Sequence, residues 1–275
     1  MFSRIFKIDP QKIIESLIFT PILHVNTGAD LSMKDIADLT RELGEPCWRT
    51  CLQGVDLNNI EEWSKEIGMS FGQPPRVHDF VIEFDANSDW DREQNKYTKF
   101  WHQDYTATEK PVKFCMLYCK DADYDTPPTE IIDLVSEYKH SSYQNFGGKL
   151  LHKVFEPKGE GIDTILKTNQ EGSYAHDVVQ DWFGQKHFMF NPAFNMEDPR
   201  WAEFSTTILK EIMDRPEGTR YIHEWKKGDI LIWNHTATLH RAKVPEDFKG
   251  RRVMYRSNFD DNKVKEFHAQ FVVSK

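Results

Sequence analysis

The chain has 275 residues, of which 39% are hydrophobic, 13% aromatic and 29% charged, a balance that excludes a disordered tract and supplies enough apolar material for a real core. Its net charge of −9 argues against a broad nucleic-acid or anionic-membrane surface, because either partner would be repelled at long range. A small local basic pocket is compatible with that balance.

The opening stretch MFSRIFKIDPQKIIESLIFTPILHV mixes charged and apolar residues too often for a signal-peptide core, and no apolar run reaches spanning length. The expectation is a cytoplasmic protein with no membrane partner. LSMKDIADLTRELG (31–44) and DLNNIEEWSKEIG (56–68) carry helical apolar spacing and close on Gly44 and Gly68. The chain then changes character. HDFVIEFDA (78–86), KFCMLYCKDA (113–122), KHFMFNPAF (186–194), DILIWNHT (229–236), RVMYRSNF (252–259) and HAQFVVS (268–274) are short, rich in β-branched and aromatic residues, and bounded by Gly, Pro, Asn or Asp. Two stretches between them read as helices: PPTEIIDLVSEYKHSSYQNF (127–146), and DPRWAEFSTTILKEIMDR (198–215) with Pro199 at a helix start.

Short strands around a core with helices packed outside predict a mainly β fold, a double-stranded β-helix or jelly roll. No repeat, low-complexity tract or polar linker divides the chain, so the expected organisation is one domain over residues 1–275, with a helix-rich part at 1–70 and the jelly-roll core at 71–275. The four cysteines form two C-x3-C pairs, Cys47/Cys51 and Cys115/Cys119. Neither pair has zinc-ribbon or redox spacing, and on a strand Cys115 and Cys119 face the same way as small core groups. The competing reading is a zinc site using all four.

Chemistry concentrates in FWHQDYTATEKP (100–111). On a strand, His102 and Asp104 share one face and can grip one small object, a metal ion. The alternative for so short a motif is a partly buried histidine bonded to a neighbouring acid. A third ligand is available far downstream in KKGDILIWNHTATLHRA (226–242), where Gly228 and Asp229 turn the chain into an apolar strand and His235 and His240 follow; either closes a two-histidine, one-carboxylate set of the kind that leaves open positions on Fe(II). In KGRRVMYRSNF (249–259), strand alternation puts Arg252, Met254 and Arg256 on one face. Two inward arginines require anions, since unpaired buried charge is strongly disfavoured, and a dicarboxylate cosubstrate answers that need. A solvent-facing edge strand is the alternative.

The ordered set WHQD, DTPPTEIIDL, GQKHFMFNPAF, KKGDILIWNHTATLHRA and RRVMYRSNF resembles the taurine dioxygenase-like (TauD/TfdA) family of Fe(II)/2-oxoglutarate-dependent oxygenases over roughly residues 70–260. That resemblance implies an oxidoreductase needing Fe(II), 2-oxoglutarate and O2, with His102, Asp104 and His240 as metal ligands. It implies Thr129 and Arg252 at the far carboxylate of 2-oxoglutarate, although TPP stands where the family has a Gly-rich turn and Arg251 adjoins Arg252. It also implies a substrate role for Arg256 and a non-ligand role for His235. Family habit implies a homo-oligomer, dimer or tetramer, which no self-complementary apolar stripe establishes. Related halogenases lack the carboxylate, so Asp104 points to hydroxylation or another halide-free oxidation.

The expected reaction is oxidation of a C–H bond in a small anionic metabolite such as an amino acid, sulfonate or carboxylate, with release of succinate and CO2. Arg256, His235, Tyr97, Tyr105, Gln73 and His78 are the residues read as substrate-facing. Two other classes compete. A 2-oxoglutarate-independent metal enzyme on a jelly roll leaves Arg252 unexplained, and a noncatalytic small-molecule binder leaves the complete His102, Asp104, His240 set unexplained. Nucleic acid is not an expected partner, for want of a basic, aromatic-interleaved tract.

Overall fold

The computed structural model describes residues 99–111, 114–153, 173–182, 185–192, 194–216, 220–245 and 247–259, together with the backbone of three strands nearer the N-terminus. Those three are β1 (Leu23–Asn26), β2 (Arg49–Gln53) and β3 (Ile82–Asp85). The expected helices at 31–44 and 56–68 and the segment 268–274 lie outside the described residues.

One sheet has six strands in the order β1, β2, β11 (Ile230–Asn234), β4 (Phe114–Ala122), β13 (Arg252–Phe259), β3. A second has three, β10 (Tyr221–His223), β5 (Thr129–Asp133) and β12 (Thr238–Ala242). Apart from the parallel β1–β2 pair, the neighbours in both sheets run antiparallel. One apolar cluster draws Cys115, Cys119, Leu231, Trp233 and Met254 from the large sheet and Ile131 from the small one, with Trp225 among them. Two sheets facing each other across a shared core are the jelly roll that the strand pattern predicts. Every residue of β11 is buried, which explains why ILIWN reads as an unbroken apolar run rather than an alternating one. Gly228 enters that strand at φ 87°, a left-handed conformation glycine takes without a Cβ penalty.

The stretch predicted as one helix over 127–146 divides in two. Thr129–Asp133 is the middle strand of the small sheet, paired with β10 on one side and β12 on the other. Only Leu134–His140 forms a helix, α1. Cross-strand pairing overrides local propensity for TEIID, and Asp133 then caps α1 by accepting from the Val135 and Ser136 amides at 2.9 and 3.3 Å. The second helix, α2, runs from Trp201–Phe204 through a π turn at Ser205–Leu209 to Lys210–Met213. It therefore starts after Pro199, which stands in the preceding turn where Asp198 accepts from the Arg200 amide at 2.7 Å. The strand expected over 186–194 stops at Phe188, as β9 (Gln185–Phe188) paired with β8 (Val179–Trp182). A last hairpin joins β6 (Lys149–Lys153) to β7 (Ser173–Asp177).

Cys115 and Cys119 are buried free thiols, as alternation predicts. Burial, reinforced by Asp229, pushes the Cys119 thiol up to about 12, so it remains a protonated core group rather than a thiolate ligand. Cys47 and the side chain of Cys51 lie outside the described residues.

His152 on β6 is fully buried with neither ring nitrogen hydrogen-bonded, and the ring of His176 sits 5.2 Å away. Burial, and then His176, hold its pKa down at about 3, against an ordinary 6.5. Between those values the unfolded chain binds a proton that the fold refuses, so stability falls as the pH drops below about 6.5. Wild-type protein is expected to lose about 2 kcal/mol through this site between pH 7 and pH 5. His152→Leu removes that loss at little cost at pH 7, because no hydrogen bond goes with the ring. Urea midpoints at the two pH values check this; equal acid sensitivity in the variant refutes it.

Candidate active site

The HxD segment is not a strand. His102 makes an isolated bridge with His240, through His102 N–H to the His240 carbonyl at 3.1 Å and His240 N–H to the His102 carbonyl at 3.0 Å. The chain turns away directly afterwards, over 104–107. Alternation nonetheless survives for three residues: His102 and Asp104 share one side, while buried Gln103 points to the other and donates from Nε2 to the Thr236 carbonyl at 2.8 Å. Tyr105 leaves the motif at φ 60°, costing about 1–2 kcal/mol for a residue with a Cβ.

The bridge joins two segments far apart in sequence and brings two imidazoles together, with ring centroids 4.2 Å apart and planes tilted by 49°. Asp104 completes the group: one donor atom from each of His102, Asp104 and His240 lies within 4.8 Å of the others. Among the described residues this is the one such group of histidine, cysteine and acidic side chains. Its donors suit a divalent cation. His102 Nδ1 lies 2.7 Å from the Phe100 carbonyl, an acceptor only, so Nδ1 donates there and Nε2 is the nitrogen placed to ligate. Nε2 is the atom facing Asp104 Oδ1, at 3.6 Å. Burial, and then His102, keep His240 well below its ordinary pKa, hence neutral and able to ligate. Burial opposes ionisation of Asp104, but the field of His235, His240, His102 and the Arg256 guanidinium outweighs it and holds the carboxyl well below the usual carboxylate range.

His235 is fully buried with Nε2 3.9 Å from Asp104 Oδ2; it contacts the carboxylate but stands outside the three-donor group. Arg256 turns toward the same oxygen, Nη1 to Oδ2 3.4 Å. Tyr105 is buried, its ring 6.4 Å from that of His235 and edge-on to it. Tyr97, Gln73 and His78 lie outside the described residues.

Thr129 opens β5, 2% exposed, and accepts from Trp225 Nε1 at 3.0 Å. The adjoining arginines of β13 separate cleanly. Arg251 is exposed and pairs with Asp121 at 2.6 Å, whereas Arg252 is buried at 6% exposure. The guanidinium of Arg252 acts on the interior Cys119 thiol.

Sequence reasoning passed over three groups that hold this site. Asn191, fully buried, donates from Nδ2 to the Gln103 carbonyl and, at 3.1 Å, to Thr106 Oγ1. Asn195 supports it by accepting from the Asn191 amide at 2.6 Å. Trp233 packs its ring 5.1 Å from that of His240. A polar residue inside the apolar run FMFNPAF was the available signal for Asn191. For Trp233, one tryptophan among the chain's 8, there was none.

Residues 137–258 match the model of the family described as "Taurine catabolism dioxygenase TauD, TfdA family". The chain is 23% identical over 188 residues to an alkylsulfatase of Acinetobacter baylyi; the match covers 60% of this chain and 56% of that protein. Among solved structures, AAD-2 in complex with Mn(II) and N-oxalylglycine superposes with a TM-score of 0.66 at 15% identity, covering 86% of this chain and 93% of that one. A taurine dioxygenase from Burkholderia xenovorans gives 0.61 at 18% identity, covering 86% of each chain. A putative alpha-ketoglutarate dependent 2,4-D dioxygenase from the same organism gives 0.60 at 16%, covering 86% and 92%. These likenesses carry the jelly-roll fold.

Proposed function

We propose that this chain, whose residues 137–258 match the TauD/TfdA family model, is a member of that family, an Fe(II)- and 2-oxoglutarate-dependent dioxygenase that hydroxylates a C–H bond of a small anionic metabolite. The observation that carries the reading is the convergence of His102, Asp104 and His240 within 4.8 Å of one another. In this reading residues 1–275 form one oxygenase domain. His102 and His240 ligate Fe(II) as neutral imidazoles, and Asp104 ligates it as a carboxylate. Three protein ligands leave open positions for a chelating cosubstrate and O2. When bound, iron with 2-oxoglutarate and O2 supplies the oxidising power, the keto acid leaving as succinate and CO2.

The protein's own part is positioning. Arg252 pairs with the far carboxylate of 2-oxoglutarate through a charge-assisted, bidentate contact, and Thr129 donates its hydroxyl to the same group. Burial of Arg252 at 6% exposure supports that assignment, since an interior guanidinium is stable only with anions about it. Arg256, His235 and Tyr105 face the substrate. The exposed Arg251 is a surface residue and takes no part.

An amino acid, sulfonate or carboxylate is the substrate class. Two similar proteins are named for molecules that carry an acidic group, taurine and 2,4-D, and a third is named as an alkylsulfatase. Arg256, whose Nη1 lies 3.4 Å from Asp104 Oδ2, is a cation that would meet such a group. Among the described residues no helix is long and apolar enough to cross a membrane, and a small molecule is the partner the site fits.

Anaerobic titration of Fe(II)-loaded protein with 2-oxoglutarate, followed through the weak visible charge-transfer band of a chelated keto acid, tests the proposal. Wild-type protein is expected to give the band. Arg252→Ala should still give it, but at about 100-fold more 2-oxoglutarate, the equivalent of a charge-assisted hydrogen-bonded pair. Tight iron binding with no band at any keto-acid concentration would sink the oxygenase reading and promote a 2-oxoglutarate-independent metal enzyme.

A further inference from the structure

The contact between Trp225 and Thr129 has no part in forming either sheet, yet it joins two interior side chains in a fixed polarity. Indole Nε1 can only donate, so at 3.0 Å it occupies a lone pair of Thr129 Oγ1 and leaves the hydroxyl proton to point elsewhere. Among the described residues no acceptor takes that proton. Thr129 is 2% and Trp225 5% exposed, so water is not the ready substitute it would be at a surface.

The indole is itself held. Its faces pack in the apolar cluster with Cys119, Ile131 and Met254, and the ring of His223 meets it nearly perpendicular, at 86° and 4.3 Å. His223 lies opposite Thr129 in the register of β10 and β5. Its own ring meets the Tyr221 hydroxyl at Nδ1, 2.8 Å, while Nε2 lies 3.3 Å from Asp229 Oδ2 without forming a hydrogen bond. Tyr221 thus holds a ring that packs against Trp225, and Trp225 fixes the direction of one hydroxyl.

We propose that Trp225 is a positioning residue for the cosubstrate, its N–H bond to Thr129 aiming the threonine hydroxyl proton at the far carboxylate of 2-oxoglutarate. The inference rests on the assignment of Thr129 and Arg252 to that carboxylate. A donor bonded to the hydroxyl oxygen also polarises the O–H and strengthens its donation to an anion. A hydroxyl free to rotate would spend part of its time as an acceptor, which a carboxylate cannot use.

The test is the anaerobic charge-transfer titration with wild type, Trp225→Phe, Thr129→Val and the double variant, each against 2-oxoglutarate and against 2-oxobutyrate, which keeps the chelating end and lacks the far carboxylate. Trp225→Phe is expected to weaken 2-oxoglutarate about tenfold, the worth of one hydrogen bond. The double variant should bind no more weakly than Thr129→Val, because Trp225 acts only through that hydroxyl. All four proteins should bind 2-oxobutyrate alike, with the band unmoved. Under turnover the KM for 2-oxoglutarate should rise in Trp225→Phe with kcat nearly unchanged.

Unchanged 2-oxoglutarate binding in Trp225→Phe overturns the proposal. So does a loss that extends equally to 2-oxobutyrate, or one that adds in full to Thr129→Val, since either marks a packing role. Absence of the band in iron-loaded wild type with both keto acids is a separate result, which overturns the oxygenase reading and this inference with it.

Discussion

His240→Ala is expected to leave the protein folded and to weaken Fe(II) binding at least about 100-fold, because loss of a ligand exceeds the 10–100-fold typical of losing a ligand's own support. The fold survives because the His102–His240 bridge is made by main-chain atoms, which alanine retains. The deleted ring takes no hydrogen bond with it, its buried Nδ1 having no partner, so the cost in stability is about 1–2 kcal/mol. Of the three proposed ligands only His102 and Asp104 then remain, too few to hold a metal that would also accept a chelating acid. His235→Ala is the informative companion. His235 touches Asp104 at 3.9 Å but lies outside the three-donor group, so its loss should leave iron bound. Equilibrium competition against a coloured chelator measures both. Iron retained in His240→Ala and lost in His235→Ala would transfer the ligand role to the other histidine.

The second large effect is expected at a residue that touches no metal donor atom. Asn191 bonds the Gln103 carbonyl and Thr106 Oγ1 from a fully buried position, and those two acceptors bracket Asp104 and Tyr105. Asn191→Ala strands both acceptors in the interior, at about 1–3 kcal/mol each where no water reaches, for a loss of about 3 kcal/mol overall. Tyr105 already sits in an unfavourable backbone region, so the turn has little stability of its own to resist relaxation. Iron affinity should fall by about 10–100-fold as Asp104 drifts from the two imidazoles. Asn191→Asp separates shape from chemistry: it fills the same space but, when ionised, cannot donate, and is expected to behave no better than alanine. Urea midpoints and the chelator competition are the measurements. A stability loss with iron affinity intact would make Asn191 a core residue only.

Element type was readable wherever local periodicity and packing agreed. ILIWN, FCMLYC and RVMYRSNF are strands because their residue types suit a pleated surface covered by others, and the inward thiols of Cys115 and Cys119 followed from period-2 spacing. Reading failed where a segment's structure depends on distant partners. TEIID has the look of a helix start and becomes a middle strand because β10 and β12 flank it. The HxD motif suggests a strand and is a single bridge followed by a turn, since its one pairing partner is the segment of His240.

The same division runs through the site. Residue chemistry singled out His102, Asp104 and Arg252, because imidazole and carboxylate two apart and an arginine in an apolar strand are unusual enough to notice one chain position at a time; Thr129 came from the family resemblance alone. Between His235 and His240, residue types left the third donor open, and only the resemblance preferred His240; the distances in the fold put that one in the group of three. Arg251 and Arg252 are neighbours with the same side chain, and what separates them is which one the twist of β13 turns into the core and which it leaves beside Asp121. Asn191 showed only as a polar residue in an apolar run and Trp225 not at all, because a hydrogen bond spanning 88 or 96 residues has no local pattern. Composition, periodicity and donor chemistry act over a few residues and are written in the chain directly. Orientation, burial and long-range partnership exist only once the two sheets close on each other, and those decide which of the noticed residues meet.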